Sequence, residues 1–407
     1  MDRRTLLKLG GAAFAGIGLS GCTALSGLDR RHPRVNLAPV EASWDRVIRT
    51  TVGLRPHRPK GFLLSGEKLD AKLLIHNYGH GGAGHSLGWG TGAMAADLAM
   101  QQPERRVAVI GCGTVGLTAA RQLQRRGFDV TIYAQALPPF TTSNMALAAF
   151  TPTSGLLSDA RSPEWDAQFR QAVDIAYRQL QLLAGPRYGV GWIDSYTMSD
   201  TRPGPPQESS TSGLLPAHVR NADRLVLGPG EHPFSTKYAL RRATLRIQPS
   251  IYLDALVEDV VRFGGRIVVR RFETTADLMQ LSEPVIVNCT GLGARDLFAD
   301  RTMLPVKGQL SLLIPQPEVN YEASGGGDRG GARISVMPRS DGIAIGNTME
   351  RDVWTLEPND EARQRNVGAA IALFSAMRAP DPRLRLTGSP PPSQAPTAES
   401  FFDPEMR

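Results

Sequence analysis

Three cysteines in 407 residues are too few for a disulfide-stapled scaffold or a thiolate metal cluster. Lysine is scarce as well: 6 of the 46 basic residues are Lys, and the 40 arginines are scattered without a block. The net charge of +7 therefore reflects composition, and no nucleic-acid footprint is present. The 7 histidines and the carboxylates lack metal-ligand spacing, so no metal site is assigned. The N-terminal apolar run, residues 10–18, is too short to cross a bilayer. No repeat is visible, and 42 glycines with 30 prolines imply many turns.

The N-terminus carries address signals rather than fold. Arg3-Arg4-Thr5-Leu6-Leu7-Lys8 resembles a twin-arginine export motif, and Leu19-Ser20-Gly21-Cys22 resembles a bacterial lipobox. These resemblances imply passage through the twin-arginine translocase, cleavage within residues 1–22, lipidation of Cys22 and a membrane-anchored periplasmic protein. Residues 23–45 then read as a tether. Cys112 and Cys289 read as small buried residues.

Residues 107–110 form a β-branched apolar run of strand length. Gly111-Cys112-Gly113-Thr114-Val115-Gly116 follows as G-x-G-x-x-G, and residues 117–126 have helical periodicity. Strand, glycine loop and helix in that order form a dinucleotide site, with the pyrophosphate on the helix N-terminus. The next strand, 129–133, ends in Ala134-Gln135, where an NAD site would place an acidic residue on a ribose hydroxyl.

Upstream stands His76-Asn77-Tyr78-Gly79-His80-Gly81-Gly82-Ala83-Gly84, followed by His85 and Trp89-Gly90. This stretch resembles the HNYGHGG-x-G…WG signature of the FAD-dependent D-amino-acid oxidase family, and the resemblance covers roughly residues 47–386. It implies an α/β fold, with an FAD-binding Rossmann-like domain against a substrate domain on a mixed, largely antiparallel sheet. In the family the signature lies near the C-terminus; here it precedes the nucleotide loop. The order reads as a circular permutation, the family's last helix (91–100) being joined to its first strand. The implied organisation is 46–100 for the permuted C-terminal segment, 101–160 for the FAD core and 161–285 for the substrate domain. Residues 286–304 return to the FAD domain, 305–386 to the substrate domain, and 387–407 form a Pro-rich tail.

The resemblance carries roles residue by residue. Gly53-Leu54-Arg55-Pro56-His57-Arg58-Pro59 resembles the segment whose first arginine pairs with the substrate carboxylate, so Arg55 takes that role. Tyr238, placed by counting back from Tyr252-Leu253, would add a hydroxyl to the same carboxylate. FAD contacts fall to Gly111, Gly113, Thr114, Val115 and Gly116; to Thr141, Thr142 and Ser143; to Gly81, Gly82, Ala83, Gly84 and His85; and to Thr290 and Gly291 of a V-N-C-T-G turn. Where many of the family set an aromatic over the substrate, Thr153 stands, implying a pocket that is more open or is closed by another residue. Arg241, Arg242 and Arg246 would suit an acidic side chain.

Helices are expected at 162–183, with Ser162 as cap, at 250–263, with Leu253, Leu256, Val257, Val260 and Val261 facing in, and at 361–377. Residues 201–216 read as a loop insertion. The implied reaction is oxidative deamination of a D-amino acid by hydride transfer to flavin N5, with O2 or another acceptor taking the electrons. His76 and His80 then shape the loop rather than act as bases. A flavin enzyme for glycine or N-methyl amino acids, a dehydrogenase, and a lipid-anchored flavin-binding protein without turnover are the alternatives.

Overall fold

The computed structural model describes residues 35–147, 149–154, 156–158, 160–205, 211–220, 223–325, 334–346 and 348–388. The export signal, Cys22 and most of the Pro-rich tail lie outside these residues.

One sheet is built for burial. It comprises β2 (Leu63–Leu69), β3 (Lys72–Tyr78), β4 (Arg106–Ile110), β5 (Asp129–Ala134), β9 (Arg266–Val269) and β10 (Val285–Asn288), ordered β2-β3-β10-β4-β5-β9. All neighbours are parallel except the edge hairpin β2-β3. Val107, Ala108, Val109, Val285, Ile286 and Val287 are unexposed, as an apolar run without alternation requires of a parallel strand covered on both faces.

Over it lie α1 (Gly84–Ala99), α2 (Thr114–Gln124), α3 (Pro163–Leu182) and α4 (Pro249–Arg262). The first corrects the expectation that a helix begins at residue 91. Gly84, Gly88, Gly90 and Gly92 are poor helix formers, but here they are contact surface. A Cβ on Gly88 would lie 2.7 Å from Thr118 Oγ1, and one on Gly92 2.9 Å from Ala119 Cα, both on α2. On the other side, a Cβ on Gly90 would lie 2.0 Å from the Ala172 carbonyl of α3. Glycine spacing of four residues thus lets backbones meet, and tertiary packing overrides propensity. In α3 the Trp165 amide donates to Ser162 Oγ at 3.2 Å, and Trp165, Phe169, Val173, Ala176, Leu180 and Leu183 are buried as the periodicity requires. On α4 the inward list is too long: Val261 is 56% exposed.

The second sheet is larger. Its strands are β1 (Val47–His57), β6 (Val190–Ser199), β7 (Leu225–Leu227), β8 (Tyr238–Ile247), β11 (Leu304–Leu313), β12 (Tyr321–Gly325), β13 (Ile334–Arg339) and β14 (Gly342–Gly346), ordered β1-β11-β14-β13-β12-β6-β8-β7, with β15 (Glu350–Arg351) on β11. Only β12 with β6 is parallel. Along β12, Tyr321, Ala323 and Gly325 are buried and Glu322 and Ser324 are partly exposed, the period-two signature of a sheet with two different faces. The apolar face packs on α5 (Asp360–Ser375) and on Leu37, Ala38 and Val40. Residues 35–40 therefore pack on the core instead of forming a tether: Tyr321 donates to the Ala38 carbonyl at 2.8 Å, and Thr387 N to Asn36 O at 2.7 Å. Within 201–216, Leu214 is buried against the first core, so that end is anchored; residues 206–210 lie outside the description.

The α1–α3 contact is testable with two glycines. Gly90→Ala should lower stability by about 3 kcal/mol, since the new methyl meets backbone. Gly368→Ala, in α5 with nothing within 4 Å of the added Cβ, should raise it by about 0.5–1 kcal/mol. Thermal unfolding of the two variants separates these, and equal shifts would remove the close-contact explanation.

Candidate active site

The alternation of β1 turns Gly53 and Arg55 to the face opposite the apolar core, toward a cavity of about 510 Å3 lying between the two sheets. Gly53 sits across from Gly308 of β11 and Arg55 across from Val306. The Arg55 side chain crosses Gly308, where a Cβ would come within 2.4 Å of Nη2. It also crosses Gly82, where a Cβ would come within 2.7 Å of Arg55 Cδ. Two glycines far apart in sequence thus form a slot for one guanidinium, which donates from Nη1 to the Thr348 carbonyl at 2.9 Å. Burial lowers the Arg55 pKa from its usual value, yet arginine remains a cation. A desolvated planar cation facing a cavity is suited to a carboxylate.

The same cavity is lined by the nucleotide loop and by the starts of two helices. Neither α1 nor α2 has a side-chain N-cap or an acidic residue in its first turn. Their positive ends favour an anion there. Gly111 has φ +118°, and a Cβ would lie 2.5 Å from the Cys289 carbonyl, so glycine is required where the loop turns under V-N-C-T-G. Ser143 Oγ accepts from the Thr114 amide at 3.0 Å, tying the 141–145 turn to the start of α2. At the far end stand Tyr133, Gln135, Arg270, Arg271 and Phe272.

FAD fits this lining on one direct observation. Among the described residues, buried side-chain atoms without hydrogen-bond partners include Asn77 Oδ1 and Nδ2, Thr114 Oγ1 and His85 Nδ1. All three residues line the cavity, and a long polar ligand would satisfy groups that are otherwise costly to bury.

Two histidines of the loop, His80 and His85, are held neutral. His80 stacks on Phe62 and hydrogen-bonds Thr91 Oγ1 at 3.0 Å; burial drives its pKa down to about 3. His85 donates from Nε2 to the Ser143 carbonyl at 2.8 Å, and its pKa falls to about 4, mainly through burial and further through Arg339. His76 Nδ1 accepts from Asn288 Nδ2 at 3.0 Å, while Nε2 faces Glu67 at 3.0 Å. Asn288 Oδ1 in turn accepts from Thr290 N and Oγ1, so His76 braces the V-N-C-T-G turn.

Of the residues singled out from sequence, Arg55, Gly82, Gly84, His85, Gly111, Gly113, Thr114, Val115, Thr141, Thr142, Ser143, Thr290 and Gly291 line the cavity. Four do not. Gly116 lies beneath the loop, with its Cβ position 2.0 Å from the Gly111 carbonyl. Ala83 is core, and the Gly81 amide is used on Pro56 O at 2.8 Å. Tyr238 shares the cavity-side face but sits six strands from β1, opposite Ser199, with the Arg202 guanidinium 5.9 Å from its ring. The structure does not bring it to Arg55.

The arginine group of β8 also fails to line the cavity. Arg241 pairs with Asp194 at 3.1 Å and Asp223 at 3.0 Å, and Arg246 donates to the Pro338 carbonyl at 3.1 Å. Thr153 is outside the lining, between Thr151 and Ser154, which are in it. Sequence reasoning missed Gly308, Glu322, Ser335, Arg270 and Arg271. The alternation in Tyr321-Glu322-Ala323-Ser324-Gly325 was the available signal for Glu322.

A family model described as FAD dependent oxidoreductase matches residues 106–403. The chain is 28% identical over 289 residues to a D-amino-acid oxidase of Rubrobacter xylanophilus, covering 69% of this chain and 78% of that one. It is 27% identical over 274 residues to a D-amino-acid oxidase of Streptomyces coelicolor, covering 66% and 77%. Among solved structures, glycine oxidase from Geobacillus kaustophilus is similar with a TM-score of 0.49 at 15% identity, covering 68% of this chain and 81% of that one.

The buried histidines set a pH dependence. A pKa below the unfolded value near 6.5 means that the unfolded chain binds protons first, so this stability is present above pH 6.5 and is lost as pH falls toward 4. Urea unfolding of the FAD-loaded protein between pH 7.5 and 4.5 should show a smaller slope for His80→Gln than for wild type; an equal slope would assign the acid loss elsewhere. With most of its length matched to the family model, and with a glycine loop, two open helix ends and unsatisfied polar groups around one cavity, the chain belongs to the FAD-dependent oxidoreductase family.

Proposed function

We propose that this enzyme oxidises a D-amino acid to the imino acid, which water converts to the 2-oxo acid and ammonia. The observation that carries the proposal is the Arg55 slot: a half-buried guanidinium held between Gly82 and Gly308 at the edge of the FAD cavity. The curated relatives named D-amino-acid oxidase support the same substrate class.

Bound FAD supplies the hydride acceptor, with O2 or another oxidant as the final electron sink. Arg55 would hold the carboxylate and so fix the Cα–H direction, while the Thr348 carbonyl fixes the guanidinium. The starts of α1 and α2 would stabilise negative charge on the cofactor. His80 and His85, neutral and engaged with the Thr91 hydroxyl and the Ser143 carbonyl, hold the loop in place rather than move protons.

A permuted chain order belongs to this proposal. The family match begins at Arg106, while residues before it provide β1, β2, β3 and α1, which are integral to both sheets and to the cavity. Export through the twin-arginine translocase and anchoring by lipidated Cys22 are proposed from the N-terminal motifs alone.

Arg55→Ala should retain FAD and raise KM for D-amino acids by about 100-fold or more, the order expected when a charge-assisted bidentate pair is lost. Steady-state peroxide or ammonia release checks this. Unchanged KM with bound flavin would remove Arg55 from the carboxylate site.

A further inference from the structure

Glu322 is the unexplained charge of the cavity. It is the second residue of β12, an interior strand where glutamate is disfavoured, and among the described residues it is the sole carboxylate lining the cavity. Burial raises its pKa, against the hydrogen bond from the Ser195 hydroxyl and the attraction of Arg242. Ser195 lies directly across from it on β6, and Arg242 across from Ser195 on β8. No ion pair between Glu322 and Arg242 is found among the described contacts, and directly across the ladder its neighbour is the neutral Ser195. Around it the cavity-side face is hydroxylic: Ser335 lines the cavity, and Thr197 and Ser324 meet at 3.3 Å.

Its position relative to Arg55 follows from register. The Arg55 guanidinium lies over Gly308 on β11; Glu322 is three strands further across and four residues along. At about 4.8 Å per strand and 3.3 Å per residue that is roughly 20 Å on a flat sheet, and less on one that curls round a cavity. An extended ligand anchored at Arg55 covers that distance together with the reach of the Glu322 side chain. A short one stops midway.

We infer that Glu322 is a specificity-determining residue that receives the cationic end of a long substrate side chain, so that the preferred substrates are D-amino acids of the lysine and arginine class. This rests on the oxidase proposal for the reaction and replaces the acidic preference that the β8 arginines would have implied. A charge-assisted bond in a desolvated site gives discrimination against neutral side chains of equal length.

The test uses the FAD-loaded enzyme and a binding readout independent of turnover. 6-Aminohexanoate carries a carboxylate and an amine at the spacing of lysine; hexanoate lacks the amine. Titrations followed by the flavin absorption spectrum should show 6-aminohexanoate binding at least about tenfold more tightly than hexanoate. Glu322→Gln should bring the two within about threefold, and Glu322→Asp should keep part of the preference, with the flavin content of each variant reporting its fold. Equal affinities in wild type, or a preference untouched in Glu322→Gln, would overturn the assignment. Anaerobic addition of D-lysine separates the two claims: a Glu322-dependent preference without flavin bleaching would leave the Glu322 assignment standing and count against the oxidase reaction.

Discussion

The arrangement turns on burying one guanidinium. Arg55 comes from an edge strand of the large sheet, Gly82 from the loop that leaves the small sheet, and Gly308 from the strand paired with β1; all three must meet for the side chain to lie where it does. A partly buried cation still costs desolvation unless polar groups meet it, so the slot constrains both sheets at once. Gly81 N on Pro56 O, and the bridge between His57 and His80, fasten the same junction from the backbone side. The cavity between the sheets inherits its shape from this junction.

Its electrostatics follow from omission as much as from charge. The two helices that open on the cavity begin without acidic residues and without side-chain caps, and the cavity's basic lining residues are Arg55, Arg270 and Arg271. A dinucleotide carrying a pyrophosphate matches that field, and the unsatisfied atoms of Asn77, Thr114 and His85 match its polar edges. Among the described residues Glu322 is the single opposing charge in the lining, placed away from the helix starts on the face of the large sheet.

Most of the cofactor half was legible because its physics is local. Strand, glycine loop and helix must be contiguous, and a glycine forced by a 2.5 Å approach to Cys289 leaves a mark in the sequence. What was not legible depends on long-range contact. The glycines of α1 read as breakers until α2 and α3 are in place, and residues 35–45 read as a tether until Leu37, Ala38 and Val40 find the core. Tyr238 was placed by counting residues, but a register count says nothing of which end of a sheet a strand occupies; six strands separate β8 from Arg55. Glu322 went unnoticed because one acidic residue in a short alternating segment resembles any solvated strand face.

The central claim is that the cavity positions a D-amino acid for hydride removal by bound FAD. Its most direct test is the anaerobic visible spectrum of the reconstituted enzyme, recorded with matched D- and L-amino acids. The account predicts bleaching of the oxidised flavin band by D-isomers and not by their mirror images. Flavin that remains oxidised with every D-isomer, or that is bleached equally by both hands, would contradict it.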